Sequence, residues 1–287
     1  MCCKCGSKTI AFSAIRQILP GTLFLGITNF TLLLLQGGTC MLTLHILKER
    51  ENMKIEIWSD VMCPFCYIGK RRFEDALQQS GHQEQVEIEW KSFQLNPDIK
   101  TDPSININQY LANAKGWTLD YAAQLNDHVT QMAAEVGLTY NMDRAIVANS
   151  FNAHRFTHLA KKHGLGDAAE EALFKAYFTE GLNMDDNDTL IKLGTDIGLD
   201  VADVKQVLES DVYADEVKYD IAQAQQLGIR GVPFFVMNNK YGVSGAQAVP
   251  VFLETIEKSF TEWQQENKKP SLTIIEGESC SPDGDCG

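Results

Sequence analysis

"DVMCPFCYIGKRRFEDAL", Asp60 to Leu77, places two cysteines two residues apart, where an apolar strand gives way to a helix. The strand is "KIEIWS", residues 54–59, which alternates and is rich in β-prone side chains. The helix is expected over 64–79, with Pro64 in its first turn, where a missing N–H costs nothing. A helix N-terminus leaves backbone N–H groups unpaired and carries partial positive charge. A thiol placed there therefore ionises more readily than a free one. Cys63 stands at that boundary and is expected to be the exposed nucleophile. Cys66, in the first turn, is expected to be more buried and close enough to complete a disulfide. That division suits thiol–disulfide exchange: one sulfur attacks, and the second resolves the mixed disulfide.

Two other readings of the pair are weaker. Half of a zinc site needs two further ligands. Cys280 and Cys286 are the candidates, but they lie far off in a polar tail. A structural clip would cross-link one helical turn and close a tiny loop, which stabilises little. The redox couple is preferred, and no metal is expected.

Outward from this stretch, the chain reads as two short α/β pieces around a helical block. "VEIEWKSFQL", 86–95, is the next strand, and "NPDIKTDPS", 96–104, is a loop marked by Pro97 and Pro103. Apolar residues then recur at helical spacing over 119–138, 145–164, 168–181, 188–197, 201–209 and 212–227. Strands return at 233–238 and 241–245, joined through Asn239-Lys240 as a hairpin, and 249–265 is a final helix with Pro250 near its start. Both α/β pieces must meet to bury one sheet. The expected organisation is one α/β domain, 53–103 with 229–267, interrupted by a helical subdomain, 104–228, and followed by a loose tail, 268–287. Pro233 is either a strand-entry proline on an exposed edge, or part of a cis Val232–Pro233 bond that turns a backbone edge toward the sulfurs.

At 287 residues, 44% hydrophobic and 22% charged, the chain suits a soluble globular protein with one large, interrupted domain. The formal charge is −13; residues 1–52 hold five Lys/Arg against two Glu, leaving −16 on the rest. Such acidity argues against nucleic acid or an anionic membrane as the main partner. Cysteines are missing between Cys66 and Cys280, unlike the spread of a secreted disulfide scaffold. The apolar run at 18–35, "ILPGTLFLGITNFTLLLL", reads as a signal or membrane anchor, yet Pro20, Gly21, Gly26 and Asn29 interrupt it. Met53 opens the first strand, and the preceding "KEREN" can be encoded by a purine run resembling a ribosome-binding site. Translation from Met53, and hence a cytoplasmic protein, is the expectation. Export or anchoring by residues 1–52 is the alternative.

With these motifs in view, the chain resembles the thioredoxin superfamily, specifically the DsbA-like, FrnE-type oxidoreductases. The resemblance covers Met53 to Glu262 and rests on "SDVMCPFCYIGKRRFE", "NSFNAHRF", "LFKAYFTEGLNMDD", "AQAQQLGIRGVPFFV" and "VSGAQ". It implies a thioredoxin fold with an inserted α-helical subdomain, a redox pair at Cys63 and Cys66, and a cis-proline at Pro233. Substrates in this superfamily pair with the backbone beside that proline, which implies a contact at Val232. Pro64, Phe65 and Trp58 are the apolar neighbours assigned to the same surface, although Trp58 fits the core equally well. Many relatives carry a "CGPDGC"-like tail. Here "CSPDGDC" has one extra residue between Cys280 and Cys286, the candidate auxiliary redox pair.

Strongly oxidising relatives place His between the cysteines. Pro64-Phe65 offers no donor or charge, so a milder oxidant is expected. The expected activity is that of a thiol–disulfide reductase or isomerase, less so an oxidase, on protein or small disulfides. It needs no bound cofactor and draws on an external thiol such as glutathione or thioredoxin. The same architecture serves kappa-type glutathione transferases and glutathione-dependent isomerases, which act on small molecules and carry Ser at the position of Cys63. A chaperone or binding module would instead place function in the helical block. Three lesser signals remain. His154 and His158 lack the acidic residue of a zinc helix, so packing is preferred. Asn149, His154 and Arg155 are candidates for shaping a groove facing Cys63. Asp185, Asp186 and Asp188 read as helix caps rather than a calcium loop.

Overall fold

The computed structural model describes residues 52–268, and Asn52 opens one compact unit. The expectations for residues 1–51 and for Cys280 and Cys286 lie outside the described residues.

In chain order the elements are β1 (Met53–Ser59), α1 (Pro64–Ser80), β2 (Val86–Ser92), β3 (Asp102–Asn106), α2 (Ile107–Lys115), α3 (Leu119–Glu135), β4 (Ile146–Val147), α4 (Phe151–Lys162), α5 (Gly166–Phe174), α6 (Asn187–Asp196), α7 (Val201–Leu208), α8 (Ala214–Gln226), β5 (Phe234–Met237), β6 (Tyr241–Ser244) and α9 (Val249–Glu266). The main sheet has the order β2-β1-β5-β6. β1 and β2 are parallel, from Met53 opposite Val86 to Ser59 opposite Ser92, so α1 is the crossover that a parallel pair requires. β5 lies antiparallel to β1, and β6 to β5. The fold is therefore α/β, a thioredoxin fold with its helical insertion between β2 and β5.

The sheet is covered on both faces. On one, α1 and α9 bring Phe73 and Phe252 against Phe235, with ring centroids 5.3 and 4.7 Å away. On the other, Ala224 of α8 and Ile229, just after the helix, cover Trp58. The last helix of the expected insertion thus serves as a layer of the sheet. The β5–β6 turn places Asn238 and Asn239 at φ 51° and 53°. Asparagine tolerates that left-handed region because its short side chain bonds locally.

Several boundaries differ from the sequence expectations. β2 stops at Ser92, earlier than expected, and Phe93 N–H donating to Ser59 O at 2.9 Å is the last rung of the β1–β2 ladder. The loop expected over 96–104 ends in β3, which pairs with β4. Ile146 and Val147 are therefore strand residues, and the helix expected from 145 begins at Phe151. The helix expected over 168–181 is α5 followed by a π-helical turn, Lys175–Glu180, which closes on Gly181. Gly181 has φ +69°, and a Cβ there would sit 2.8 Å from Arg144 O, so only glycine fits.

Lys70 joins the two parts of the fold. It is 2% exposed and forms ion pairs with Glu74 on its own helix and with Asp167 (3.2 Å) and Glu171 (3.1 Å) on α5. Arg71 also pairs with Glu171, and Tyr67 OH donates to Glu171 Oε1 at 2.6 Å. Burial alone would lower the Lys70 ammonium, but the three carboxylates outweigh it and raise it. Among the described residues, no helix is long and apolar enough to cross a membrane.

Candidate active site

The loop between β1 and α1 is organised by Asp60, which is 2% exposed. Its carbonyl accepts from Cys63 N–H at 2.9 Å, its Oδ1 from Met62 N–H at 3.2 Å, and its Oδ2 from Leu95 N–H at 2.8 Å. One carboxylate thereby holds both the cysteine loop and the segment after β2.

Cys63 is the N-cap of α1, with Pro64 at the first helical position. No acidic residue stands in the first turn, so the partial positive charge of the helix end is not opposed there. Cys63 S–H donates to Val232 O at 3.4 Å. The Val232–Pro233 peptide bond is cis, and Pro233 is buried against Gly69 of α1. Cys66 lies behind Cys63, its N–H bonded to Cys63 O at 3.0 Å. Burial pushes the Cys66 thiol well above its ordinary value, and the adjacent Cys63 sulfur adds to the shift.

The structure brings Cys63, Cys66, Val232 and Pro233 together, with Pro64 part-buried and Phe65 exposed beside them. Two expectations need correction. Cys63 is not an exposed residue: at 4% it is nearly as covered as Cys66 at 1%, because its sulfur sits under the Val232 carbonyl. Trp58 is not a substrate surface: it is fully buried on the far face of the sheet, and its Nε1 donates to Asp220 O at 3.0 Å.

His154 and His158 address different carboxylates. His154 Nε2 lies 3.7 Å from Asp60 Oδ1, and His158 Nε2 lies 3.1 Å from Asp220 Oδ2. Burial would lower His154, but Asp60 and Glu170 raise it. Arg155 ties the end of α7 through Val207 O, Ser210 O and Val212 O, and Asn149 holds the 97–99 loop by its amide. Of that trio only His154 reaches the cysteine loop. Asp186 caps α6 by accepting from Thr189 N–H at 2.8 Å.

Two contributions escaped the sequence reading. Tyr140, from the insertion, donates its hydroxyl to Pro64 O at 2.7 Å and so pins the residue between the cysteines. Burial raises the Tyr140 hydroxyl, and the charges of Cys63 and Cys66 raise it further. Ser59 and Asp60 were in plain view, as two polar residues closing an apolar strand, and both are buried.

The family model described as a DSBA-like thioredoxin domain matches residues 54–257. The chain belongs to that family. This DsbA-like chain is similar to the uncharacterized protein YwbO of Bacillus subtilis, at 30% identity over 71% of the chain and 96% of YwbO. It is also similar to the crystal structure of a probable DsbA oxidoreductase from Streptomyces coelicolor. There the TM-score is 0.69 and the identity 36%, over 82% of this chain and 99% of that one. The cytosolic disulfide reductase DsbM of Pseudomonas aeruginosa shares the fold, with TM-score 0.52 at 16% identity over 74% of this chain and 98% of its own.

Proposed function

We propose that this DsbA-like protein is a thiol–disulfide oxidoreductase that works through Cys63 and Cys66, as a reductase or isomerase of protein or small disulfides. The observation that carries the reading is the Cys63 sulfur at an unopposed helix N-terminus, 3.4 Å from Val232 O, with Cys66 directly behind it. Cys63 thiolate attacks a substrate disulfide, one substrate sulfur leaves, and Cys66 resolves the mixed disulfide. The two enzyme thiols supply the two electrons. Val232 offers backbone to an extended substrate, and Phe65, 37% exposed, offers an apolar surface beside the sulfurs.

The direction proposed is reductive and cytoplasmic, with glutathione or a thioredoxin-like protein as the external thiol. The disulfide reductase DsbM, solved also with GSH, supports that reading through its fold alone. Pro64 and Phe65 add neither charge nor donor beside Cys63, which fits a mild oxidant.

A Cys66→Ser variant tests the reading. It should accumulate a mixed disulfide between Cys63 and substrate, visible by mass spectrometry without reductant. Failure of any adduct to form at Cys63 would overturn it. Sustained glutathione-dependent turnover of a small molecule by the same variant would instead favour an isomerase or transferase.

A further inference from the structure

Resolution requires Cys66 to become a thiolate, yet Cys66 is 1% exposed and burial opposes its charged form. The free end of α1 serves Cys63, one turn away. Something else must favour charge on the second sulfur.

Ser59 is the last residue of β1, at the start of the loop that carries Cys63. It is 1% exposed, and its hydroxyl makes no hydrogen bond in the resting structure. A buried hydroxyl without a partner is costly and rare in a native core. Alternation along β1 turns Ser59 away from Trp58 and α8, toward the sheet face that α1 covers and on which Cys66 lies, and the Ser59 hydroxyl and the Asp60 backbone N–H both favour the charged form of the Cys66 sulfur. The backbone at both positions is held in place. Ser59 is fixed in the ladder opposite Ser92, and its carbonyl accepts from Phe93 N–H at 2.9 Å. Asp60 is held through both carboxylate oxygens.

We propose that the Ser59 hydroxyl and the Asp60 backbone N–H form an anion cradle for the Cys66 thiolate, and that Ser59 is a catalytic residue for resolution of the mixed disulfide. This rests on Cys63 and Cys66 acting as an exchanging dithiol. In the step, Cys66 loses its proton while Ser59 and Asp60 donate to the sulfur. The Cys66 sulfur bonds to Cys63 Sγ, and the bond from Cys63 to the substrate sulfur breaks. The substrate leaves as a thiolate that takes up one proton, matching the one Cys66 lost. The charged and titratable neighbours are Cys63 on α1, the Asp60 carboxylate with His154 from α4, and Tyr140 from the insertion.

Stopped-flow reaction of the reduced protein with dithiobis(nitrobenzoate) separates the two steps. The first nitrothiobenzoate release reports attack by Cys63, and the second reports resolution by Cys66. Ser59→Ala should leave the first release unchanged and slow the second about tenfold at neutral pH, the order expected for one hydrogen bond to a charged group. The pH midpoint of the second release should rise by about one unit. Ser59→Thr and Ser59→Val have the same shape and differ in the hydroxyl, so Thr should keep the second release and Val should lose it. The proposal is overturned if the second release in both Ser59→Ala and Ser59→Val matches the wild type, or if Ser59→Thr slows as much as Ser59→Val. A wild type that gives no second release would overturn the dithiol reading itself, and the cradle with it.

Discussion

The Cys63 sulfur lies 3.4 Å from the carbonyl oxygen of Val232, a residue 169 positions further along the chain. Two short α/β pieces meet at this contact. β1 delivers Cys63 and β5 follows Val232, and the two strands pair through Trp58 opposite Phe234. The helical insertion lies between them in sequence and adds Tyr140 to the same place in space.

Gly69 sets how closely α1 approaches Pro233. A Cβ at Gly69 would meet Pro233 Cγ at 2.9 Å, and Ala246 Cβ and Phe235 Cζ at 3.5 Å. Gly69→Ala gains about 1 kcal/mol of helix propensity but overpacks the site by about 1–3 kcal/mol. The expected result is no gain in stability by urea denaturation, together with slower disulfide reduction as Val232 moves off Cys63. A variant that is both more stable and fully active would show that this close approach is dispensable.

Lys70→Met should destabilise the protein by about 2 kcal/mol, because it removes the buried cation that Glu74, Asp167 and Glu171 share and leaves Glu74 and Glu171 with Arg71 alone. The value is kept below that of a fully buried pair because Asp167 and Glu74 are partly in water. Chemical denaturation measures it, and an unchanged midpoint would mean that the α1–α5 clamp contributes nothing.

Much of this frame is legible in the sequence. Pro64 after Cys63 announces the helix start, and the alternation of residues 54–59 announces β1. The failures have physical causes. β3 and β4 are short and pair only with each other, so nothing local separates them from loop and helix. Trp58 beside the cysteines in sequence points to the opposite face, since neighbours along a strand alternate. Tyr140 has no marker at all, because its meeting with Pro64 is made by the fold.

Glu170 carries a pH dependence with a defined sign. Burial raises its carboxyl from 4.5 to about 7, against the opposing pull of His154 and Thr157. The folded state resists ionising this group, so its contribution is full below the unfolded value and is lost as pH rises from 4.5 toward 7. His154, raised by Asp60 and Glu170, also loses its contribution as pH rises through its folded value. Glu170→Gln should therefore shrink the fall in stability between about pH 5 and about pH 8, by up to about 3 kcal/mol. Denaturant melts across that window measure it, and an identical slope in wild type and variant would contradict the assignment.

The most direct measurement is the reduction of insulin disulfides in the presence of dithiothreitol, followed by turbidity, with the wild type beside Cys63→Ser. The wild type should accelerate precipitation and Cys63→Ser should fall to the uncatalysed rate. A Cys63→Ser protein that precipitates insulin as fast as the wild type would contradict exchange at this sulfur.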